Sequence, residues 1–342
     1  MKKYEFDVDF VITWVDGADR EWLKEKNKYL DKEHQVDIDA GANRYRDWDN
    51  LQYLFRGIEK FAPWVRKVFF ITCGQKPKWL NINNDKLVLV KHEDYMPAEY
   101  LPTFSSRPIE LNMHRIKDLS EHFVYFNDDF FLTKPVKKSD FFDKNGLPKI
   151  VAMEKPKSIA DFVYDNMTMN NVRTLNKKFD KRTVKDSNRR KWYNLRNPVC
   201  YIMNKFYDKT AKVGWAGFYI DHLPVPFLKS GMIECWEQFY DELDTTSRNK
   251  FKSVYDINQY LFTEYLLCTG KFFSDKYKRK GQQFQLDDGE KSNIDFACKC
   301  VIKQKYKMTC LNDAKVTNFE ETKGKINKAL NDVFPEKSSF EL

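Results

Sequence analysis

Four short apolar runs in the first 130 residues constrain the fold more than any other feature of this sequence. They are rich in β-branched and aromatic residues, as are strands buried on both faces of a parallel sheet, and they span residues 8–15, 68–72, 87–90 and 123–126. Segments 49–62 and 107–119 lie between the runs and place apolar residues at helical spacing. This alternation predicts an α/β fold, with a Rossmann-like, mostly parallel sheet flanked by helices and a helical insertion and C-terminal part.

Each apolar run is followed at once by a group of polar residues. In chain order these groups are Asp16-Gly17, Cys73-Gly74-Gln75, His92-Glu93-Asp94 and Asn127-Asp128-Asp129. The carboxyl ends of parallel strands meet at one edge of a sheet, and ligands bind in the crevice at that edge. We therefore expect these four distant segments to converge on one site.

The stretch FVYFNDDFFLTK, residues 123–134, places two adjacent carboxylates, Asp128 and Asp129, inside an aromatic run. Mg²⁺ prefers hard oxygen ligands, commonly one or two carboxylates together with substrate phosphates. A bound cation of this kind also neutralises charge on a leaving phosphate. The alternative is an ordinary polar turn at the end of a strand, and it applies to Asp16-Gly17 as well. The direct junction with a buried strand favours metal binding by Asp128 and Asp129.

Further candidate residues occur in charged clusters and as single histidines. The segment RYRDWDNL, residues 44–51, sets two arginines beside acids, which suits either phosphate binding or a surface ion-pair network. Glu110 and His114 are four residues apart, so they would share a helix face, either at the site or as a local hydrogen-bonded pair. His222 stands in YIDHLPVPFL, a segment with two prolines, and is a candidate general base near neutral pH.

The charge balance of the 342-residue chain bears on its partners. A formal net charge of +9 favours an anionic partner, or it reflects a solvated lysine-rich surface. Nucleic acid is not expected as a partner, because the aromatic residues cluster in strand-like runs and on helix faces rather than among basic residues. The basic segment 176–192 is interpreted as a mobile loop or insertion, either lining the approach of an anionic ligand or simply solvated.

Cysteine use and hydropathy indicate a compartment. The seven cysteines are irregularly spaced without a paired C-x-x-C zinc pattern, which is typical of reduced thiols in a cytosolic protein. The N-terminal MKKYEFDVDF lacks the apolar run of a signal peptide, and no stretch approaches the ~20 apolar residues of a membrane span. The sequence predicts a cytoplasmic protein, with peripheral attachment at the inner face of the cell membrane as an open alternative.

An ordered set of motifs resembles the Stealth proteins, hexose-1-phosphate transferases that include bacterial capsular polysaccharide phosphotransferases. The four blocks that describe this family correspond to residues 9–22, 44–132, 221–262 and 310–341. The second block, which contains RYRDWDNLQYLFRGIEKFAPWVRKVFFITCGQKPKWL, is the most specific. The resemblance implies a single catalytic domain over residues 1–342, divided into an α/β core at 1–150, a variable insertion with a basic loop at 151–220 and a helical part at 221–342.

The resemblance also implies a reaction. Family members take a sugar-1-phosphate from a nucleotide-diphosphate sugar, usually a UDP-sugar, and transfer it to a hydroxyl of a glycan acceptor. The product is a phosphodiester, the leaving group is UMP, and Mg²⁺ or Mn²⁺ is the expected cofactor. A metal-dependent glycosyltransferase that releases UDP is the alternative, because an acidic pair on an α/β layer fits that chemistry too.

Site residues follow from the same resemblance. The implied catalytic set is Asp129, His222, Asp16, Arg44 and Lys252, and the implied metal ligands are Asp128 and Asp129. His222 is expected to accept the proton of the attacking hydroxyl, with Asp16 as the alternative base. Lys252 stands where the family usually has an arginine, so it would meet a phosphate as a point charge without a bidentate fork. The remaining expected substrate contacts are Arg46, Asp47, Gln75, Ser105, Ser106, Glu110 and His114.

Overall fold

The computed structural model describes residues 4–30, 46–157, 163–277, 280–290 and 292–342. Its strands are β1 (Val8–Thr13), β2 (Val68–Thr72), β3 (Leu87–Lys91), β4 (His122–Phe126), β5 (Phe130–Leu132), β6 (Lys149–Ile150), β7 (Val225–Leu228), β8 (Phe273–Ser274), β9 (Gly281–Asp287) and β10 (Met308–Lys315). Its α-helices are α1 (Arg20–Tyr29), α2 (Leu51–Phe61), α3 (Ser106–Leu111), α4 (Lys138–Phe141), α5 (Val163–Asn176), α6 (Lys181–Ser187), α7 (Arg189–Trp192), α8 (Pro198–Thr210), α9 (Lys229–Gln238), α10 (Tyr240–Ser247), α11 (Tyr260–Thr269), α12 (Ile294–Ile302) and α13 (Phe319–Val333). Short 3₁₀ helices lie at His92–Asp94, Ala98–Tyr100 and Met113–Arg115.

A five-stranded sheet with the order β3-β2-β1-β4-β7 forms the centre of the described residues. Strands β1 to β4 run parallel, and β7 is antiparallel to β4 at one edge. Phe10 in β1 pairs with Val68 on one side and with Val124 on the other, and all three side chains are fully buried. The four apolar runs therefore form the parallel strands of this sheet, with β3 at its edge, and the predicted mostly parallel α/β fold is confirmed.

A second sheet, made of β5, β10 and β9, begins directly after the central strand β4. Phe130 opens β5 and pairs with Cys310 of the antiparallel β10, which in turn runs parallel to β9. Only residues 127–129 separate β4 from β5. The amide of Leu311 donates a hydrogen bond to the carbonyl of Asp129 at 2.9 Å. The acidic pair therefore lies at the junction of the two sheets.

Helix α2 connects the two sheets by packing and matches the helix predicted over 49–62. Phe55 is fully buried and meets Phe70 of β2 edge to face, with ring centroids 5.6 Å apart. Gly57 faces β5, where an added Cβ would lie 2.8 Å from the carbonyl oxygen of Leu132. A side chain at this position would push the helix away from the second sheet, so the close approach depends on glycine.

The helix predicted over 107–119 is shorter in the structure. Helix α3 ends at Leu111, and a 3₁₀ helix follows at Met113–Arg115. The reason is local, since the side-chain amide of Asn112 donates to the Pro108 carbonyl at 2.8 Å and so occupies the acceptor that a continuing helix would use. The prediction that Glu110 and His114 share one helix face is therefore wrong.

The basic segment 176–192 is largely helical, so its interpretation as a loop is wrong. It forms α6 and α7, and two of its lysines are buried. Lys181 and Lys185 both form ion pairs with Glu154, which is fully buried. Buried charged side chains are tolerated when each is paired with an opposite charge. The basic run alone gives no indication of the distant carboxylate that pairs with these lysines.

The segment 221–342, which was predicted to be helical, also supplies strands. Strand β7 extends the central sheet, and β9 and β10 form most of the second sheet. Each strand is short or mixes polar with apolar residues, as in GQQFQLD and MTCLNDAK. In addition, β7 and β10 pair with β4 and β5, which lie far earlier in the chain, so the local sequence pattern gave no clear strand signal.

Two further observations concern the cysteines and the membrane. All seven cysteines are free thiols, and Cys310 is completely buried on β10. Within the described ranges, no helix has both the length and the apolar character that crossing a bilayer requires.

Candidate active site

A cavity of about 250 Å³, which we call the first cavity, opens at the carboxyl edge of β1 and β4. Residues that follow β1, β3 and β4 contribute to its wall, together with residues 311–313 of β10. The lining consists of Thr13, Trp14, Val15, Trp22, Arg46, Asp47, Trp48, Asn50, Leu51, His92, Thr103, Phe104, Ser105, Ser106, Ile109, Glu110, Tyr125, Asn127, Asp128, Asp129, Lys252, Leu311, Asn312 and Asp313. The structure thus brings two of the four polar groups that follow the apolar runs to this cavity, the one that begins at His92 and the one at residues 127–129.

Asp129 is held between the two sheets. Its Oδ2 accepts hydrogen bonds from Asn312 Nδ2 at 3.1 Å and from the Cys310 thiol at 3.3 Å. Its Oδ1 is buried and has no hydrogen-bond partner in the described part of the chain, and the same is true of Oδ1 of Asn127. Two hard oxygen atoms therefore remain available for a ligand at the junction of the sheets.

The carboxylates around the first cavity crowd one another. Crowding by surrounding protein atoms, followed by the charge of Asp129, raises the pKa of Asp128 to about 7, although its side chain remains in contact with solvent. Burial also raises the pKa values of Asp47 and Asp313. Negative charge is thus concentrated in one concave surface, which a bound cation would relieve.

His222 reaches this group from the segment that precedes β7. Its Nδ1 lies 2.7 Å from the Tyr260 hydroxyl, and its Nε2 lies 3.5 Å from Asn127 Nδ2. The ring packs edge to face on Phe130, with centroids 5.0 Å apart. In the tautomer with the proton on Nδ1, the Nε2 lone pair faces the acidic pair. Ligand atoms of Asp129, His222 and Cys310 all lie within 4.8 Å of one another.

A second cavity, of about 660 Å³, lies beyond His222. Its lining is Lys155, Tyr219, Ile220, Asp221, His222, Leu223, Gly281, Gln282, Gln283, Phe284, Gln285, Asp287, Asn293, Phe296, Ala314 and Lys315. Side-chain amides and aromatic rings are prominent in this wall. Phe296 is 54% exposed and packs at its edge against Phe284. His222 therefore stands between Asp129 of the first cavity and a roomier, less acidic second cavity.

Two cations belong to the wall of the first cavity. Arg46 donates from Nη1 to the Val316 carbonyl at 3.0 Å and lies 3.6 Å from Asp313. Lys252 lines the cavity, and its charge lowers the pKa of Glu110, although burial outweighs this effect and leaves that pKa raised. Arg46 and Lys252 are thus placed where cations can contact phosphate oxygens.

Three of the expected substrate residues also have structural roles. The Ser105 side chain accepts a hydrogen bond from the Arg107 amide at 3.3 Å and caps α3. Glu110 accepts from the Tyr125 hydroxyl at 3.0 Å. Asp47 accepts from the Asp49 amide at 2.8 Å. Ser105, Glu110 and Asp47 line the first cavity all the same, as does Ser106.

Asp16 and Gln75 are together, but neither belongs to the lining of the two cavities. The amide of Asp16 donates to Gln75 Oε1 at 2.8 Å, and Gln75 Nε2 donates back to the Asp16 carbonyl at 3.0 Å. Gln75 also donates to Asp19 Oδ2 at 3.0 Å. These contacts hold the β1–α1 connection, so the structure gives Gln75 a positioning contact rather than a place in the cavity wall.

His114 and Arg44 complete the set of expected site residues. His114 is buried beside Trp236, with ring centroids 5.6 Å apart, and burial lowers its pKa to about 3. It lines neither cavity, because the chain turns away after Leu111. Arg44 lies outside the described residues.

Sequence reasoning did not single out Asn312, Asp313, Cys310 or Tyr260. Asn312 and Cys310 contact Asp129, Asp313 lines the first cavity, and Tyr260 contacts His222. A signal was present for Asn312 and Asp313, since they follow an apolar run much as Asn127 and Asp128 follow β4. The run was too short to indicate a second strand end at the same site.

The donor atoms at the junction suit a hard divalent cation. The unpartnered oxygens of Asp129 and Asn127 and the neighbouring Asp128 carboxylate are the ligand type that Mg²⁺ prefers. Cys310 would suit a softer ion, but burial raises the pKa of its thiol and so opposes the thiolate that such an ion needs. The residues present therefore fit an oxygen-liganded cation better than a thiolate-bound one.

Comparison with known protein families gives two matches. The model described as Stealth protein CR2, conserved region 2, matches residues 44–150, and that for Stealth protein CR1, conserved region 1, matches residues 6–34. Together these regions include strands β1 to β4 and the acidic pair. Both therefore fall on the part of the chain that builds the first cavity.

Full-length relatives support the same grouping. Capsular polysaccharide phosphotransferase WcwK of Streptococcus pneumoniae is 38% identical, covering 100% of this chain and 99% of that protein. Receptor polysaccharide phosphotransferase WefC of Streptococcus gordonii is 38% identical over 98% of this chain and 99% of its own length. Exopolysaccharide phosphotransferase cps2G of Lactiplantibacillus plantarum is 34% identical, with coverage of 98% and 96%.

Similarity over the whole length to several phosphotransferases defines the class, and the chain is a transferase enzyme. More particularly, it belongs to the Stealth family, so the resemblance found in the sequence is confirmed. A solved structure titled as the apo form of the WbbM bifunctional glycosyltransferase is similar at a TM-score of only 0.40 with 11% identity, over 97% of this chain and 52% of that one.

Proposed function

We propose that this protein transfers hexose-1-phosphate from a UDP-sugar to a hydroxyl of a glycan acceptor in the synthesis of a capsular or other cell-surface polysaccharide. The acceptor oxygen forms a bond to the phosphorus that carries the sugar. The bond from that phosphorus to the bridging oxygen breaks, and UMP leaves with this oxygen. One observation carries the proposal: Asp129 and His222, from distant parts of the chain, have ligand atoms within 4.8 Å of each other between two cavities.

The first cavity is the proposed donor site. Asp128 and Asp129 would hold Mg²⁺ or Mn²⁺, which when bound neutralises charge on the diphosphate. Two observations support this assignment: the buried Oδ1 of Asp129 has no hydrogen-bond partner in the described part of the chain, and burial together with the charge of Asp129 raises the pKa of Asp128 to about 7. Asn312 and Cys310 hold the other oxygen of Asp129 and thereby fix the direction of its carboxylate.

Cations of the chain would stabilise the transferred phosphoryl group. Lys252 and Arg46 lie in the wall of the first cavity, and Arg44 is assigned to the same task from the family resemblance. Phosphoryl transfer depends mainly on positioning and electrostatic stabilisation. Few groups need to move protons, which agrees with a site made mainly of charged side chains.

His222 is the proposed general base. Its Nδ1 is held by the Tyr260 hydroxyl at 2.7 Å, which fixes the ring and leaves Nε2 toward Asn127 and the acidic pair. In this orientation Nε2 would take the proton of the attacking hydroxyl as the new bond to phosphorus forms. Asp16 is the alternative base, although it does not line the first cavity.

The second cavity is the proposed acceptor site. Sugar hydroxyls form hydrogen bonds with side-chain amides, and Gln282, Gln283 and Gln285 all lie in its wall. Phe296 offers an exposed aromatic ring at the same wall, and such a ring can pack against the apolar face of a sugar. An acceptor bound there would approach the donor past His222. A nucleotide-sugar donor supports a cytoplasmic location, and we include peripheral association with the membrane in the proposal.

The test is incubation of the full chain with a panel of UDP-sugars, Mg²⁺ and short synthetic glycosides. Phosphorus NMR should show a new phosphodiester, the released nucleotide should be UMP, and a chelator should abolish the reaction. Release of UDP without a phosphodiester would instead identify a glycosyltransferase and overturn the proposal. The variant Asp129→Asn provides the control for background hydrolysis.

A further inference from the structure

Helix α8 and its flanks present an apolar stripe to solvent. The exposed fractions are 78% for Leu195, 43% for Val199, 64% for Ile202, 54% for Phe206 and 103% for Val213, and we call these five residues the α8 stripe. Residues 199, 202 and 206 follow helical spacing and therefore share one face. Cys200 and Asn204 are buried on the opposite side. The helix thus has apolar residues on the face that a surface helix normally reserves for polar ones.

The α8 stripe is concentrated rather than scattered. Sixteen large apolar or tyrosine side chains are exposed in the described residues, and five of them belong to this short segment. Single exposed apolar residues are normal, but a contiguous group rimmed by polar residues marks a binding surface. The α8 stripe is therefore a candidate interface.

Positive charge surrounds the α8 stripe. Residues 189–213 contain seven lysines and arginines and one acid, and the exposed cations are Arg189, Arg190, Arg196, Lys209 and Lys212. The acid, Asp208, is engaged by Lys185 and by the Tyr193 hydroxyl, each at 2.7 Å. An apolar centre with a basic rim is the pattern of helices that lie in the interface of an anionic membrane. Two copies of this face would oppose like charges, which disfavours self-association.

The inner side of the same helix adjoins the second cavity. Cys200 belongs to a small buried cluster with Met153 and Tyr219, and Tyr219 also lines the second cavity. Tyr219 in turn packs against Tyr277, which is 39% exposed, with ring centroids 5.0 Å apart. Whatever surface the α8 stripe contacts therefore lies close to the second cavity.

We propose that the α8 stripe docks this protein on an anionic lipid surface and brings the second cavity next to the bilayer. The apolar side chains enter the boundary between headgroups and acyl chains, and the surrounding lysines and arginines contact the acidic headgroups. The importance of this geometry for acceptor delivery rests on the proposed function. Lipid binding itself does not, and it can be measured without a nucleotide sugar.

The experiment is co-sedimentation of the full chain with vesicles of phosphatidylcholine alone and of phosphatidylcholine mixed with phosphatidylglycerol. We expect binding to the mixed vesicles, weaker binding to the neutral ones, and loss of binding at high salt. The variant Ile202→Ser/Phe206→Ser should lower binding to mixed vesicles by about 10-fold or more, because it removes the centre of the apolar stripe.

Matched controls distinguish vesicle binding by the α8 stripe from nonspecific binding by exposed apolar side chains elsewhere. Ile82 and Tyr255 are 48% and 83% exposed elsewhere on the protein, so Ile82→Ser/Tyr255→Ser should bind vesicles like the unchanged chain. Arg196→Glu/Lys209→Glu should weaken binding to mixed vesicles and leave the weak binding to neutral vesicles unchanged. Circular dichroism confirms that each variant is folded.

Three outcomes would overturn the proposal. These are no vesicle binding by the folded chain, equal binding by Ile202→Ser/Phe206→Ser, or equal affinity for neutral and anionic vesicles. A fourth such outcome, measured by light scattering, is that Ile202→Ser/Phe206→Ser converts a dimer into a monomer and leaves lipid binding unchanged. Phosphodiester formation is assayed separately, so failure of the enzymatic proposal would be distinguished from failure of this one.

Discussion

The two cavities on either side of His222 differ in the chemistry of their walls. The first cavity contains four aspartates, Asp47, Asp128, Asp129 and Asp313, together with Arg46 and Lys252. The second cavity has four side-chain amides and three aromatic rings in its wall, and its two aspartates are matched by two lysines. A wall of fixed charges suits a diphosphate with its cation, and a wall of amides and rings suits a neutral sugar. This difference suggests that binding of the donor and binding of the acceptor can be impaired separately.

The largest effect is expected at the junction of the sheets. Asp129→Asn keeps the shape but removes the charge, so turnover should fall by about 10³-fold or more. The measurement is UMP release from a UDP-sugar in the presence of Mg²⁺ and acceptor. The matched control is Asp186→Asn, which alters a surface acid near Arg182 and Arg189 and should leave turnover unchanged. Near-normal turnover by folded Asp129→Asn would show that the first cavity is not the reaction centre.

A somewhat smaller loss of turnover is expected when His222, which lies between the two cavities, is replaced. His222→Ala should reduce kcat by about 10²-fold, since general base catalysis typically contributes 10²–10⁴-fold, and it should leave binding of UDP with Mg²⁺ unchanged in calorimetry. Tyr260→Phe removes the hydroxyl that contacts Nδ1 but keeps the imidazole, so it should cause a lesser loss. If His222→Ala were nearly as active as the unchanged chain while Asp16→Asn was inactive, the base would be Asp16.

A substitution in the second cavity should impair binding of the acceptor and leave binding of the donor unchanged. Phe296→Ala removes an exposed ring, so the KM for a synthetic glycoside acceptor should rise by about 10-fold while the affinity for UDP with Mg²⁺ stays constant. Tyr255→Ala serves as the control, because it removes an aromatic ring that is 83% exposed elsewhere. A change in donor affinity with no change in acceptor KM would contradict the assignment of the two cavities.

The smallest effect is expected in the pH dependence of the free energy of unfolding. The folded-state pKa of Asp128 is raised to about 7, above its unfolded value, so between about pH 4 and pH 7 the folded protein binds this proton more tightly than the unfolded chain. In metal-free buffer, the free energy of unfolding should therefore decrease slightly as the pH rises through this range. Asp128→Asn should flatten the dependence in thermal unfolding, whereas Asp186→Asn should not. If the free energy of unfolding of Asp128→Asn depended on pH as strongly as that of the unchanged chain, titration of Asp128 would not be the cause of the dependence.

The four parallel strands of the central sheet were predictable because their signal is local. Each lies in a short, mostly apolar run, and residues 68–72 match β2 at both ends. The second sheet was not predictable in the same way, because Phe130 finds its partner Cys310 far along the chain. Strands made mostly of polar residues, such as β9 with the sequence GQQFQLD, resemble loops until the partner strand is known.

The site was predictable in part for the same reason. Asp128 and Asp129 stand out because a buried strand ends at them, but the contacts of Asp129 with Asn312 and Cys310 depend on the fold. His114 lines neither cavity, because one side chain, Asn112, ends the helix early. The roles assigned to the site residues and to the cation stay predictions.

The three-residue link between β4 and β5 has a consequence for chain length. Because residues 127–129 are the entire connection between β4 and β5, an added or deleted residue there would change both the sheet spacing and the register of Asp129 against Asn312. A change of chain length at this link should therefore be forbidden, because the acidic pair fixes the spacing at which the two sheets assemble.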